Sequence, residues 1–135
     1  VATPGRFLDD PTVDLVVSLN IASQLPTLPG HFLEGVGGYD EPAADGIGRA
    51  LVEAHFDYLS KFTGTVCLIA DIEREIVAPD GVPMETVSAL REAKLPWAGE
   101  TWTWDIAPLG EEDAVYAVRN RVIGIPSISD AAPAR

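Results

Sequence analysis

The sequence predicts an α/β fold, and three stretches carry that prediction. Two short apolar runs, DLVVSL at 14–19 and TVCLIA at 65–70, each break into polar residues at their carboxyl ends. Continuous runs rich in β-branched residues mark strands buried on both faces, as in a parallel sheet. A helical periodicity lies between them, so strand, helix and strand read as a parallel βαβ unit. The third stretch, 101–108 and 114–123, alternates in period two on both sides of a Gly-containing turn and predicts an antiparallel hairpin.

Residues 1–12 are turn-rich, with Pro4-Gly5 and Asp10-Pro11 as breakers and Arg6-Phe7-Leu8 as a brief extended piece. After the first strand, Ile21 to Leu25 is long enough for one helical turn, which Pro26 stops. Residues 27–45 hold Pro29-Gly30, Gly35, Gly37-Gly38 and Pro42 and predict a long connection, of the kind that often forms a lid over a site. Asp45 then serves as N-cap for a helix over 45–62, with Ile47, Leu51, Ala54, Tyr58 and Phe62 on its apolar stripe and Ala50 and Leu59 widening it. Its other face carries Arg49, Glu53, Asp57 and Lys61, four apart, so neighbours pair with opposite sign. Thr63-Gly64 ends it. After the second strand, Asp80-Gly81 marks a turn, and Met84, Val87 and Leu90 predict a modest helix over 84–93. Residues 1–125 read as a single domain, and 126–135, rich in Pro, Ala and Ser, as a disordered tail.

Composition excludes several functions. The 135 residues carry 21 acidic and 9 basic side chains, a net charge of −12. Unassisted binding to nucleic acid or anionic membranes needs clustered Lys and Arg, which this balance does not supply. No apolar run approaches the roughly 20 residues of a membrane helix, and the N-terminus lacks the pattern of a secretory signal. Cys67, the only cysteine, cannot form an internal disulfide, and in its apolar run it reads as a small core residue. A cytoplasmic setting follows. The chain begins at Val1 rather than Met, as a processed protein or a piece of a longer one would.

The segment DLVVSLNIASQLP at 14–26 resembles the fourth strand of class I S-adenosylmethionine-dependent methyltransferases and its continuation, a run of the type DLVVxxNxLxxLP. In that family a Rossmann-like sheet ends in an antiparallel hairpin, which 101–123 would supply, with 65–73 as the fifth strand. The resemblance covers about Asp14 to Ile123 and implies a partial Rossmann-like sheet flanked by helices, the C-terminal portion of a larger methyltransferase-like fold. The family's first strand and glycine-rich turn are not among these residues. Gly35-Val36-Gly37-Gly38 neither follows a strand nor opens a helix, so it is no substitute. The implied activity is methyl transfer from S-adenosylmethionine to a small-molecule nucleophile in the complete protein, with this portion alone inactive.

Ligand crevices in open α/β sheets lie beyond the carboxyl ends of the strands. The resemblance turns the strand end with Ser18 and Asn20 toward the cofactor; Ser23 and Gln24 just beyond it, Asp71 at the end of the next strand and His31 in the long loop are the substrate-binding candidates. Asp71 would take a proton from the nucleophile being methylated. A plainer reading stands beside each. Asn20 and Ser23 can satisfy backbone groups at a strand-to-helix turn, Asp71 can be a solvated strand end beside Arg74, and His31 can be ordinary surface. His55 reads as a packing residue with a satisfied nitrogen. A relay of Ser23, His55 and Asp71 can be drawn, but no G-x-S-x-G elbow supports it. Two histidines without a cysteine cluster or HExxH spacing give no metal site. Trp97, Trp102 and Trp104 read as core and sheet packing before they read as a ligand wall. Two other functions stay open: a non-catalytic module that pairs, or self-associates, through an exposed strand edge, and another Rossmann-like nucleotide-dependent enzyme.

Overall fold

The computed structural model describes Val1–Arg135. Its elements run β1 (Leu15–Leu19), α1 (Ile21–Gln24), α2 (Thr27–Gly35), α3 (Glu41–Ser60), β2 (Thr65–Val77), β3 (Pro83–Ser88), β4 (Glu100–Ala107) and β5 (Ala117–Ile125). They form one five-stranded sheet in the order β1-β2-β5-β4, with β3 also on β2. β1 lies parallel to β2, in register from Leu15 opposite Thr65 to Leu19 opposite Ile69. All other pairings are antiparallel, including the β4–β5 hairpin. The fold is thus mixed α/β with one parallel pair, and most of its sheet is antiparallel.

β2 explains why. It is thirteen residues long and continues through Asp71, Glu73 and Glu75, so this acidic stretch is mid-strand and not a strand end. Glu73 and Glu75 face Arg121 and Arg119 of β5 and pair with them at 3.6 and 2.5 Å. The extra length offers a free edge beyond β1, and residues 83–88 take it as β3. The helix expected over 84–93 is therefore a strand followed by a turn. Asp80 and Gly81 do make the anticipated turn. Gly81 sits at φ 85°, and Asp80 Oδ1 accepts from Val82 N at 3.0 Å.

The connection expected to be a loop over 27–45 is helical. α2 occupies most of it, and α3 begins four residues before Asp45. Asp40 is the N-cap, accepting from Ala43 N at 3.0 Å, and Pro42 falls in the first turn, where its missing N–H costs nothing. Gly48, in the helix interior, is a packing device: a Cβ there would lie 2.9 Å from Cβ of Pro26. The buried stripe is Ala44, Gly48, Val52, Phe56 and Leu59, so the helix is rotated relative to the expected stripe: Leu59 from its margin is buried, and its other members are half-buried.

α3 covers one face of the sheet. Val52, Phe56 and Leu59 pack on Val66, Leu68 and Ala70 of β2 and on Ile123 and Ile125 of β5. The other face is open, and this corrects the expectation that β1 is buried on both sides. Val16 and Ser18 turn inward, whereas Leu15, Val17 and Leu19 are 61, 55 and 63% exposed. Cys67, in register with Val17, lies on that open side and is half-buried rather than core. The C-terminal residues expected to fray are packed: Ile128 is buried with its N–H on Val66 O at 3.0 Å, and Trp97 bridges Pro133. No helix is long and apolar enough to cross a membrane.

Candidate functional site

The site forms where β1 ends. Leu19 is its last residue, and Asn20 turns the chain into α1 in a left-handed conformation, φ 52° and ψ 15°. Asn is among the few non-Gly residues that adopt this conformation readily. Its N–H still reaches Ile69 O at 2.8 Å, which fixes the corner to β2. One turn on, Ser23 Oγ lies 3.5 Å from both Asn20 O and Asp71 Oδ2, at the limit of hydrogen bonding. Asp71 stands at a bulge in β2 where the register with β5 shifts between Asp71 and Glu73. Such bulges re-aim side chains beside sites. Asn120 comes from β5 and is only 8% exposed.

Three buried oxygens here have no donor: Oδ1 of Asn20, of Asp71 and of Asn120. A buried acceptor left unpaired costs about 1–3 kcal/mol, so three together are not neutral packing. Burial raises the Asp71 carboxyl from its ordinary value, while hydrogen bonding from Asn120 and Ser23 and the charge of Arg74 hold it back. Ser23, His31, Arg49, Asp71, Arg91 and Asn120 line a cavity of about 780 Å³, together with Gln24 and the β3 turn. That volume lies within the range of small-ligand sites. Arg91 and Glu92, at φ 53° and 62°, close the β3 turn, and Arg91 is held there by Asp45 at 2.5 Å.

Four sequence-derived candidates therefore meet in one cavity: Ser23, Gln24, His31 and Asp71. Asn20 stands at its back, touching Ser23 through its carbonyl. Ser18 is elsewhere. It is buried under α3 and bonds His55 Nε2 at 2.8 Å. Ser23 meets Asp71 while His55 meets Ser18, so no Ser–His–Asp relay exists. His, Cys, Asp and Glu form no group able to hold a metal. Asn120 and Arg49 were not singled out from sequence. The signal for Asn120 was present: it shares strand parity with Val118 and Val122, a polar residue on an apolar face.

Burial also holds His55 below the ordinary histidine value. The unfolded chain takes up this proton near pH 6.5, and the folded chain only at lower pH. The unfolded state then binds more protons, so stability falls as pH drops below about 6.5. Asp71 has the opposite sign: the folded state keeps its proton longer, so its contribution falls as pH rises above the ordinary carboxylate value. Urea midpoints at neutral and mildly acidic pH should therefore converge in His55→Gln relative to the parent. An unchanged difference would assign the acid sensitivity to other groups.

No protein-family model, no curated protein and no solved structure matches this chain.

Proposed function

We propose that this chain is the strand-end portion of a Rossmann-like, S-adenosylmethionine-dependent methyltransferase fold, acting on a small-molecule nucleophile. The observation that carries the reading is a parallel pair giving way to an antiparallel hairpin, with a polar cavity beside the carboxyl end of β1. That is the arrangement the DLVVSLNIASQLP segment implies. A reducing, cytoplasmic setting suits the lone Cys67.

The cofactor would be held at Asn20, whose buried Oδ1 lacks a donor that an amino group would provide. When bound, it supplies an electrophilic methyl group. The chain's own residues do the rest. Ser18, tied to His55, fixes the end of β1. Ser23, Gln24 and His31 border the substrate cavity. Asp71, its carboxyl pushed up by burial, is suited to accept the proton that the nucleophile releases. Catalysis of this kind depends mostly on proximity and in-line orientation, so it needs no sharper acid–base constellation.

Affinity for the cofactor should be weak, because the glycine-rich turn is not among these residues. S-adenosylhomocysteine at millimolar concentration is expected to shift the backbone amides of Ser18, Asn20 and Ser23 in an NMR titration, and NAD is not. A response to NAD alone, or none to either, would overturn the reading. A micromolar constant, about −8 kcal/mol, would show a cofactor pocket already complete.

The open face favours a second reading, a non-catalytic module that docks through β1. Leu15, Val17 and Leu19 present apolar side chains beside an unpaired strand edge.

A further inference from the structure

We infer that the cavity between α3, the β3 turn and the β2–β5 floor binds a small molecule carrying both a primary ammonium and a carboxylate. The inference rests on the same cavity as the substrate reading above and names a ligand class for it; its test uses no cofactor, so either can fail alone.

The floor is an acceptor site. Asp71 Oδ1 and Asn120 Oδ1 are buried without donors, and Asn120 is nine-tenths buried on the cavity wall. The only side-chain hydroxyl reaching Asp71 is Ser23 Oγ, at 3.5 Å. A primary ammonium brings three N–H donors and a positive charge, which matches one carboxylate and neighbouring oxygens. A quaternary ammonium brings no donor, and no Phe, Tyr or Trp lines the cavity to receive it. A divalent cation needs several carboxylate oxygens together, and although Glu41, Asp45 and Glu92 also line the cavity, no three His, Cys, Asp or Glu side chains stand close enough to hold one.

Three arginines line the cavity beside the carboxylates of Glu41, Asp45 and Glu92, and one of the three is in no ion pair. Arg91 is paired with Asp45, and Arg74 with Glu112. Arg49 is in no ion pair; its Nε donates to Arg91 O at 3.0 Å, which orients the guanidinium while its terminal nitrogens meet no carboxylate. The planar fork fits an incoming carboxylate in a bidentate way. A carboxylate on β2 with one oxygen lacking a donor and a guanidinium on α3 outside any ion pair thus border one space. A singly charged ligand would answer only one of them.

The test is a ¹⁵N NMR titration of the whole chain with ω-amino acids from β-alanine to ε-aminocaproate. Hexylamine, caproate and N-trimethylated ε-aminocaproate serve as controls. Expected are saturable shifts at Ser23, Arg49, Asp71 and Asn120, an optimum in chain length, and affinity at least about tenfold above each control. Asp71→Asn should lower that affinity about tenfold. Arg49→Gln, an exposed position whose change should not affect folding, should bring the amino acid down to the hexylamine level and leave hexylamine unchanged. If Asp71→Asn fails to fold, Arg49→Gln still decides. Equal binding of the zwitterion and hexylamine, equal binding of the trimethylated analogue, or no saturable shift would overturn the inference.

Discussion

Replacing Leu68 with alanine should cost about 2–5 kcal/mol, the range for emptying a fully enclosed leucine site. Leu68 is 0% exposed and lies opposite Ser18 on β1 and Ile125 on β5. Val52, Phe56 and Leu59 of α3 close over it in the same cluster. Few neighbours can move into the space, because β2 is held by ladders on both sides. The loss also reaches the site. Ile69 O, the next carbonyl, anchors Asn20, and Asp71 follows two residues later. With total stability of typically 5–15 kcal/mol, the variant should show a much lower urea midpoint with an unchanged slope. Leu15→Ala, on the open side of the same strand pair, should stay within about 0.5 kcal/mol. Equal losses at Leu15 and Leu68 would mean that both faces are buried in solution, by self-association or by rearrangement.

That contrast marks how far the sequence could be read. The parallel pair and the hairpin were legible because apolar runs and period-two alternation are local signals. The side to which β1 turns its residues was not. Leu15, Val16 and Val17 are equally apolar, and only the single layer of α3 decides that Val16 goes in and Val17 stays out. Glycine and proline misled over 27–45, since Pro29, Gly30 and Gly35 are taken into α2 and Pro42 opens α3, although both residue types punctuate loops elsewhere. β3 was hidden for a different reason. Its residues are almost all exposed, so nothing in their own pattern marks a strand; the overlong edge of β2 recruits them. In the site, Ser23 and Gln24 could be named because the end of β1 and its following turn are local in sequence, whereas Asp71 was reached as a strand end and His31 as a loop residue, although they stand mid-strand in β2 and within α2. Asn120 and Arg49 arrive from β5 and α3, and only the tertiary fold brings them to Asp71.

The other large effect should appear in association. β1 is an edge strand, and its outer N–H and C=O groups are free. Its open face continues across the sheet: Cys67 and Ile69 share parity with Val17 and Leu19, Gly124 stands opposite Ile69, and the Trp102 ring lies over Gly124. Leu15, Val17, Leu19, Trp102 and Trp104 are all exposed, so apolar surface runs from the β1 edge to β4. Native monomers usually guard such an edge with charge, a bulge or a covering element, and Leu15–Leu19 carries none of these. A net charge of −12 opposes association but is spread over the whole molecule and screened beyond about 8 Å at physiological salt. Sedimentation velocity on the parent chain should therefore show self-association that rises with salt. Val17→Lys should suppress it while changing the urea midpoint little, because a half-exposed side chain on the open face loses little packing. Val16→Lys differs by one residue and should behave oppositely. Val16 packs on the core cluster, and burying an ammonium there should cost more than the roughly 1.5–3 kcal/mol of lost valine burial. A parent chain that stays monomeric at high concentration and high salt, with Val17→Lys no different from it, would show that the open face is tolerated as it stands and would remove the support for docking through β1.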